Sequence, residues 1–330
     1  VLWHGEETPV VDTHADSLLD ALKGKRHLYE RSHEGQLDFP RMVEGGHRLQ
    51  FLSCWVEPEY KPERALPRLL SFVDQFDQEV LGAGGMVVPV VDDRSLLAAL
   101  SPGKIGVVMS MEGAEAVGTD PRMVRIMHRL GFRLMSLTWN ERNALADGAG
   151  EDPGGGGLSV AGRRIVQEMN RVGIVLDVSH LSHAAFWDAM ETSERPVIAS
   201  HSNCRTLADH RRNLTDAQII ALAKANGIQG LTFVRDFLGG QEDVERVVDH
   251  ACLHLDLVGD DHHLGLGSDF DGVEHPVDGL EDVTRLTHLA DRMSARGLAD
   301  DTIRRIFGMN YVEFFTREWS RKEERDNHGY

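Results

Sequence analysis

In the stretch VVDTHAD, Val10 to Asp16, an imidazole and a carboxylate, His14 and Asp16, stand one residue apart at the end of a short apolar run. Alternate side chains of a β-strand share a face, so the pair is expected to aim at one point. Comparable residues end other apolar runs: Glu112 in VVMSMEG, His180 in LDVSH, His201 in PVIASH and Asp269 in HLGLGSDF. A strand-end His is often only a satisfied polar residue, and an acid before a Gly can simply cap a helix. Six such residues at the ends of five runs are not explained one by one in that way. Carboxylates gathered on one rim repel and shift each other's protonation unless cations lie between them. Three imidazoles and two carboxylates exceed the roughly three protein ligands of a catalytic zinc that keeps a water position. They suit two metal ions sharing a bridging carboxylate.

For these residues to meet, the elements carrying them must end on a common rim. Eight short runs read as strands: VVDTHAD, LQFLSCWVE, IGVVMSMEG, FRLMSLTWN, GIVLDVSH, PVIASH, GIQGLTFV and HLGLGSDF. Segments with apolar residues at helical spacing lie between them, among them ERALPRLLSFVDQFDQEVLG, LSVAGRRIVQEMNRVG and QEDVERVVDHACLHLDLVG. Nearly continuous apolar strands alternating with helices imply a parallel sheet covered on its outer face. The expected fold is therefore α/β, a (β/α)8 TIM-type barrel occupying residues 1–330 as one domain, with an open doubly wound sheet as the alternative.

This map sorts the remaining candidates. Many barrel hydrolases bridge their metals with a carbamylated Lys, but Lys23, Lys25, Lys61, Lys104, Lys224 and Lys322 all fall in predicted loops or helices. Glu112 is then the acid placed to bridge. His250 and His254 are spaced i, i+4 on a helix and could hold metal, yet the helix maps to the barrel exterior and they are expected at the surface. His262 and His263 precede the last strand, at the rim where side chains usually serve stability. The Gly-rich stretch GAGEDPGGGG, Gly148 to Gly157, lacks the G-K-[ST] of a phosphate loop and is expected to be a plain linker or a mobile loop near the site.

Composition narrows the partners. The chain carries 35 Lys plus Arg against 53 Asp plus Glu, a net charge of −18 with His neutral, and no basic run, which argues against nucleic acid or an anionic membrane. No apolar run approaches the roughly 20 residues of a membrane helix. The opening residues VLWHGEETPV lack the basic and long apolar regions of a signal peptide, although a start at Val leaves room for a processed leader. Cys54, Cys204 and Cys252 are odd in number and widely spaced, as expected for reduced thiols in a cytoplasm.

Taken in order, VVDTHAD, SMEG, LDVSH, ASHSN followed by HRRN, and GSDFDG resemble the signatures of the membrane (renal) dipeptidase family, peptidase family M19 of the amidohydrolase superfamily. The resemblance spans nearly the whole chain and implies a (β/α)8 barrel, in agreement with the strand count. It implies two Zn2+ per chain, with His14 and Asp16 on one, His180 and His201 on the other, and Glu112 bridging. A metal-bridging hydroxide would attack the peptide bond of a dipeptide while Asp269 handles its proton. Arg212, the second Arg of HRRN, would bind the substrate's terminal carboxylate and so limit its length. Family members are commonly homodimers. One position departs from the family, which often has a His where this chain has Trp139 in SLTWN. An indole donates one hydrogen bond but does not bind metal as imidazole does, so Trp139 is expected to wall the substrate pocket. The alternatives are a related barrel hydrolase acting on another amide, lactam or ester, and a metal-binding protein without turnover.

Overall fold

The computed structural model describes residues 2, 3 and 6–320, so Lys322, expected in a loop or helix, lies outside the described residues. Eight parallel strands carry the expected runs: β1 (Val10–Ala15), β2 (His47–Trp55), β3 (Ile105–Glu112), β4 (Phe132–Ser136), β5 (Val175–Asp177), β6 (Ile198–Ala199), β7 (Ile228–Leu231) and β8 (Leu264–Leu266). Each pairs with its sequence neighbour, and β8 pairs with β1 through Leu266 and Asp12, which closes the ring. Closure rules out the open doubly wound alternative and establishes the TIM-type barrel. A further three-residue strand, Val87–Pro89, pairs with the N-terminal part of β3 and lies outside the eight predicted runs.

Helices between the strands begin where short polar side chains satisfy free backbone N–H groups. Ser159 caps Val160–Val172, Ser182 caps His183–Thr192, Thr215 forms a capping box with Gln218 ahead of Asp216–Lys224, and Asp243 caps Val244–Val258. Gly173 and Gly259 end two of these helices in the left-handed conformation that glycine adopts without strain.

The apolar residues separate into an outer and an inner set. The larger cluster lies between the strands and the surrounding helices. The smaller unites Val11, Leu49, Phe51, Val108, Leu134, Val175, Ile198 and Ile228 from the strands with Tyr311, Phe314, Phe315 and Trp319 from the last helix, Asn310–Ser320. That helix therefore plugs the N-terminal mouth of the barrel. Tyr311 is fully buried, and a Cβ on Gly265 would lie 2.2 Å from its ring, so Gly265 makes room for the plug. With one mouth filled, the C-terminal rim is the open end.

Candidate active site

The rim residues predicted to converge do so. His14 Nε2 lies 3.6 Å from Asp16 Oδ2, 3.5 Å from Glu112 Oε2 and 3.7 Å from Asp269 Oδ1. Glu112 turns its other oxygen to the opposite pair, with Oε1 2.7 Å from His180 Nε2 and 3.8 Å from His201 Nε2. The two latter nitrogens are 2.9 Å apart, and the rings of His14 and His201 pack at 3.8 Å. Ser53 Oγ on β2 donates to Glu112 Oε2 at 3.1 Å and holds the carboxylate between the two groups. No helix follows Glu112 directly, so it caps nothing.

The local backbone that aims these groups differs from simple strand alternation. Asp16 lies past the end of β1, at the N-terminus of the helix Ser17–Leu22, and meets His14 because the chain turns there. His180 and Asp269 follow the last residues of β5 and β8, and both hold left-handed φ values, 69° and 64°. Non-glycine residues pay for that conformation and keep it where the surroundings enforce it, commonly at functional sites. Here Asp16 N–H donates to Phe270 O at 2.8 Å and Asp269 N–H to His14 O at 3.1 Å, tying the ends of β1 and β8 together. Gly272 lets the backbone pass close by, since a Cβ there would lie 2.2 Å from Asp269 Oδ1 and 2.4 Å from Asp16 Oδ2.

Electrostatics at this rim pull neighbours apart. Burial works against charge on His14, yet Glu112 and Asp16 outweigh it and hold the imidazole well above its usual pKa. Burial also opposes ionisation of Glu112, but His14 and His180 keep its carboxyl well below the usual range. Burial and the charge of Glu112 raise Asp16. Burial, reinforced by Asp16 and Glu112 against His14 and Arg212, pushes Asp269 up to about 7. Burial and Arg212 pull His180 down to about 3, and burial and His14 lower His201 well below its ordinary value. Too few protons are shared among too many buried acids and bases.

A divalent cation would relieve that conflict, and the donors fit one. His14 Nε2 and Asp16 Oδ1 are buried without a hydrogen-bond partner. Ligand atoms of His14, Glu112 and His201, and of His14, Asp16 and Asp269, lie within 4.8 Å of one another in each group. Imidazole and carboxylate donors of this kind suit Zn2+ and its first-row neighbours.

A cleft of about 330 Å³ opens above the cluster. Asp16, Glu112, His180, Arg212 and Asp269 reach its floor, and Leu19, Trp55, Trp139, Val234, Phe237 and Val273 supply apolar walls. Trp139 thus faces the cleft, 5.2 Å from the Trp55 ring, with Lys61 over both indoles. Arg212 is buried over the Phe237 ring and donates to His201 O at 3.2 Å, while its Nε has no partner. Burial pulls its pKa down to about 10, which leaves it charged at neutral pH.

The other candidates fall elsewhere. His250 and His254 are not surface residues: both are fully buried on the sheet-facing side of Val244–Val258. His250 Nδ1 accepts from Cys204 N–H at 3.1 Å and its Nε2 is 2.9 Å from Leu238 O, while His254 Nδ1 meets Gln229 Oε1 at 2.9 Å. Barrel helices bury the face that covers the strands, and both histidines lie on that face. His263 sits at the closed end, its Nδ1 2.8 Å from Gly227 O. The 148–157 stretch is pinned rather than linker-like, with Gly148 bridged to Leu181 and Gly156 N–H bonded to Asp147. Sequence reasoning missed Ser53, Trp55, Asn140 and Phe237. Asn140 Oδ1 faces His180 Nδ1 at 3.0 Å, and the aromatic cleft residues carried no signal beyond their type. No helix among the described residues is long and apolar enough to cross a membrane. The three cysteines form no disulfide among the described residues.

Comparison with known proteins agrees with this geometry. A family model described as membrane dipeptidase (peptidase family M19) matches residues 5–327. Dipeptidase tcpJ of Claviceps purpurea is 35% identical over 84% of this chain and 68% of its own length. Dipeptidase aclJ of Aspergillus oryzae is 33% identical over 92% of this chain and 76% of its own. A metallo peptidase of Rhodobacter sphaeroides, solved with a phosphinate mimic of the dipeptide L-Ala-D-Ala, superposes with a TM-score of 0.89 at 30% identity, covering 95% of this chain and 100% of that one.

Proposed function

The chain belongs to the membrane dipeptidase family, the M19 metallopeptidases, and on that premise we propose that it cleaves dipeptides with two zinc ions bridged by Glu112. In this reading His14 and Asp16 hold one ion, and His180 and His201 hold the other. The observation that carries it is the orientation of Glu112, one carboxylate oxygen toward His14 and the other toward His180 and His201. When bound, such ions polarise a carbonyl oxygen and acidify a water.

The chain's own residues do the rest. Asp269, beside His14 on the cleft floor, takes the proton released as water attacks and passes it to the leaving amine. Arg212 presents a planar fork to the substrate's carboxylate, with Phe237 against its face. A longer peptide has no carboxylate at that distance, so the fork sets the length of the substrate. The cleft volume, near the lower end of the range for small-molecule sites, supports the same limit. So does the dipeptide mimic bound by the Rhodobacter relative.

Metal analysis and dipeptide turnover on one preparation test the reading. About two equivalents of zinc are expected, and chelation should abolish activity. Glu112→Ala should deplete both positions, whereas His201→Ala should mainly empty one. Full dipeptidase activity in metal-free protein would end the proposal.

A further inference from the structure

A chain of hydrogen bonds runs behind the rim of β5 and β6 and ends on His201. Asp177, the last residue of β5, is buried, and its Oδ1 accepts from the backbone N–H groups of Ser179 and Ser200, both at 2.9 Å. Its Oδ2 lies 2.5 Å from Ser200 Oγ, which in turn is 2.7 Å from His201 Nδ1. A serine hydroxyl has one proton to give. His201 Nδ1 and, at 3.4 Å, Ser179 Oγ could also accept it, but a carboxylate oxygen only accepts and Asp177 makes the shortest contact, which assigns that proton to Asp177. His201 Nδ1 must then be the donor to Ser200 Oγ. Its Nε2 is left with a lone pair directed at the cluster, where Glu112 Oε1 stands 3.8 Å away and His180 Nε2 2.9 Å away.

We propose that Asp177 and Ser200 are positioning residues for one metal position, acting through His201 Nδ1 to fix the ring's tautomer and hold Nε2 as the ligand atom. The proposal rests on reading the site as a dinuclear centre. Metal-binding imidazoles commonly donate their second N–H to a carboxylate or another acceptor, which fixes the ring and raises its basicity. Here a serine hydroxyl stands between the imidazole and the carboxylate.

A similar pair on the other side of the barrel ends differently. Asp12 accepts from the backbone N–H of His14 at 3.1 Å, from that of Ser268 at 3.0 Å and from Ser268 Oγ at 2.5 Å. The Ser268 hydroxyl also lies 3.3 Å from the backbone oxygen of His14, not from an imidazole nitrogen. That pair ties strand ends together. The Asp177 and Ser200 pair also governs a side-chain proton, so its loss should fall on one of two metal positions.

The test compares full-length wild type with Ser200→Ala, Ser200→Thr and Asp177→Asn, with Ser268→Ala as a control for the strand-tying role. Metal-free protein is titrated with Zn2+ against a chromophoric chelator, and imidazole tautomers are read from long-range 1H–15N correlations. Wild type should bind two equivalents and show His201 protonated at Nδ1. Ser200→Ala and Asp177→Asn should weaken one equivalent about 10- to 100-fold, the scale for losing such a partner, and leave the other nearly unchanged. Ser200→Thr keeps the hydroxyl and should recover most of the affinity. Ser268→Ala should leave the His201 ring pattern as it is. Equal weakening of both equivalents, or unchanged affinities in both variants, would overturn the proposal. If Ser200→Ala does not fold, the wild-type spectrum still decides, because His201 protonated at Nε2 contradicts the assignment. Wild type that binds fewer than two equivalents would instead defeat the dinuclear reading, a result separable from the ring pattern.

Discussion

Removal of the Arg212 guanidinium should separate substrate recognition from folding. The side chain is buried, its Nε has no partner, and its firmest bond is the 3.2 Å donation to His201 O. Ser202 Oγ is 3.5 Å from the guanidinium, a marginal contact. Among the described residues no carboxylate forms an ion pair with it, although Asp269, Glu112 and Asp177 favour its charge from farther away. A hydrogen bond to a charged group contributes about 1.5–3 kcal/mol. At about 1.4 kcal/mol per decade, that is roughly 10- to 150-fold in catalytic efficiency. Arg212→Ala should therefore lower kcat/KM on free dipeptides by that factor, and Arg212→Lys should recover only part of it, because an ammonium lacks the planar fork. The matching perturbation is made in the substrate. C-terminally amidated dipeptides should be poor for wild type by a similar factor and should lose little more with Arg212→Ala. Thermal stability should largely hold in that variant, since burial already opposes the charge that is removed. Equal losses on free and amidated substrates would refute the reasoning, as would a fall in melting temperature that tracks the fall in activity.

Three further outcomes follow from the geometry. Trp139→Phe should leave turnover within a few-fold, while Trp139→Ala should shift side-chain preference across a dipeptide panel. Parallel losses in both variants, up to roughly a hundredfold, would instead make the indole N–H the contributing group. Gly272→Ala would bring a methyl within 2.4 Å of carboxylate oxygens on both Asp269 and Asp16. Displacing catalytic groups by about 1 Å can cost up to a hundredfold, so kcat should fall at least tenfold with the fold intact, and an unchanged kcat would place the turn differently. Burial holds His47 and His254 near 3 and His250 near 4, whereas the unfolded chain titrates them near 6.5. Below pH 6.5 the unfolded state takes up protons the fold refuses, so stability is full above that pH and lost as pH falls toward 4, by up to about 1.4 kcal/mol per imidazole per pH unit. Urea unfolding at pH 6.5 and 5 measures the slope; His254→Gln should reduce it, and equal stability at both values would reject the assignment.

What could be read in the sequence was whatever short-range pattern determines. Alternating apolar runs and helical periods gave the barrel, and residue type at the ends of the runs picked out His14, Asp16, Glu112, His180, His201 and Asp269, which the fold brings to one rim. What could not be read depends on partners far along the chain. The helix of His250 and His254 maps to the barrel exterior, which predicts surface side chains, yet their nitrogens meet Cys204, Leu238 and Gln229 beneath the helix. The Gly-rich 148–157 stretch looked like a linker, but Asp147 and Leu181 hold it. Likewise Arg212 followed from its motif, while the Phe237 ring behind it required the fold.

The turn SDFDG shows how much a short motif conceals. Its first acid, Asp269, reaches the cleft floor beside His14, and its second, Asp271, also borders the cleft but spends its carboxylate on Ser17 Oγ at 2.5 Å, Arg26 at 2.6 Å and Gln36 N–H at 2.6 Å. Both acids hold left-handed backbone, and buried Phe270 lies between them. Because Phe270 O accepts from Asp16 N–H and His14 O accepts from Asp269 N–H, the turn cannot shift without moving the His14 and Asp16 pair. The carboxyl placed to move a proton and two of the proposed metal ligands are thus fixed to one another by backbone bonds. The segment containing Arg26 and Gln36 clamps that unit from outside through Asp271. Precision at the rim comes from this reciprocal bonding between the first and last strands, which only the closed barrel makes neighbours.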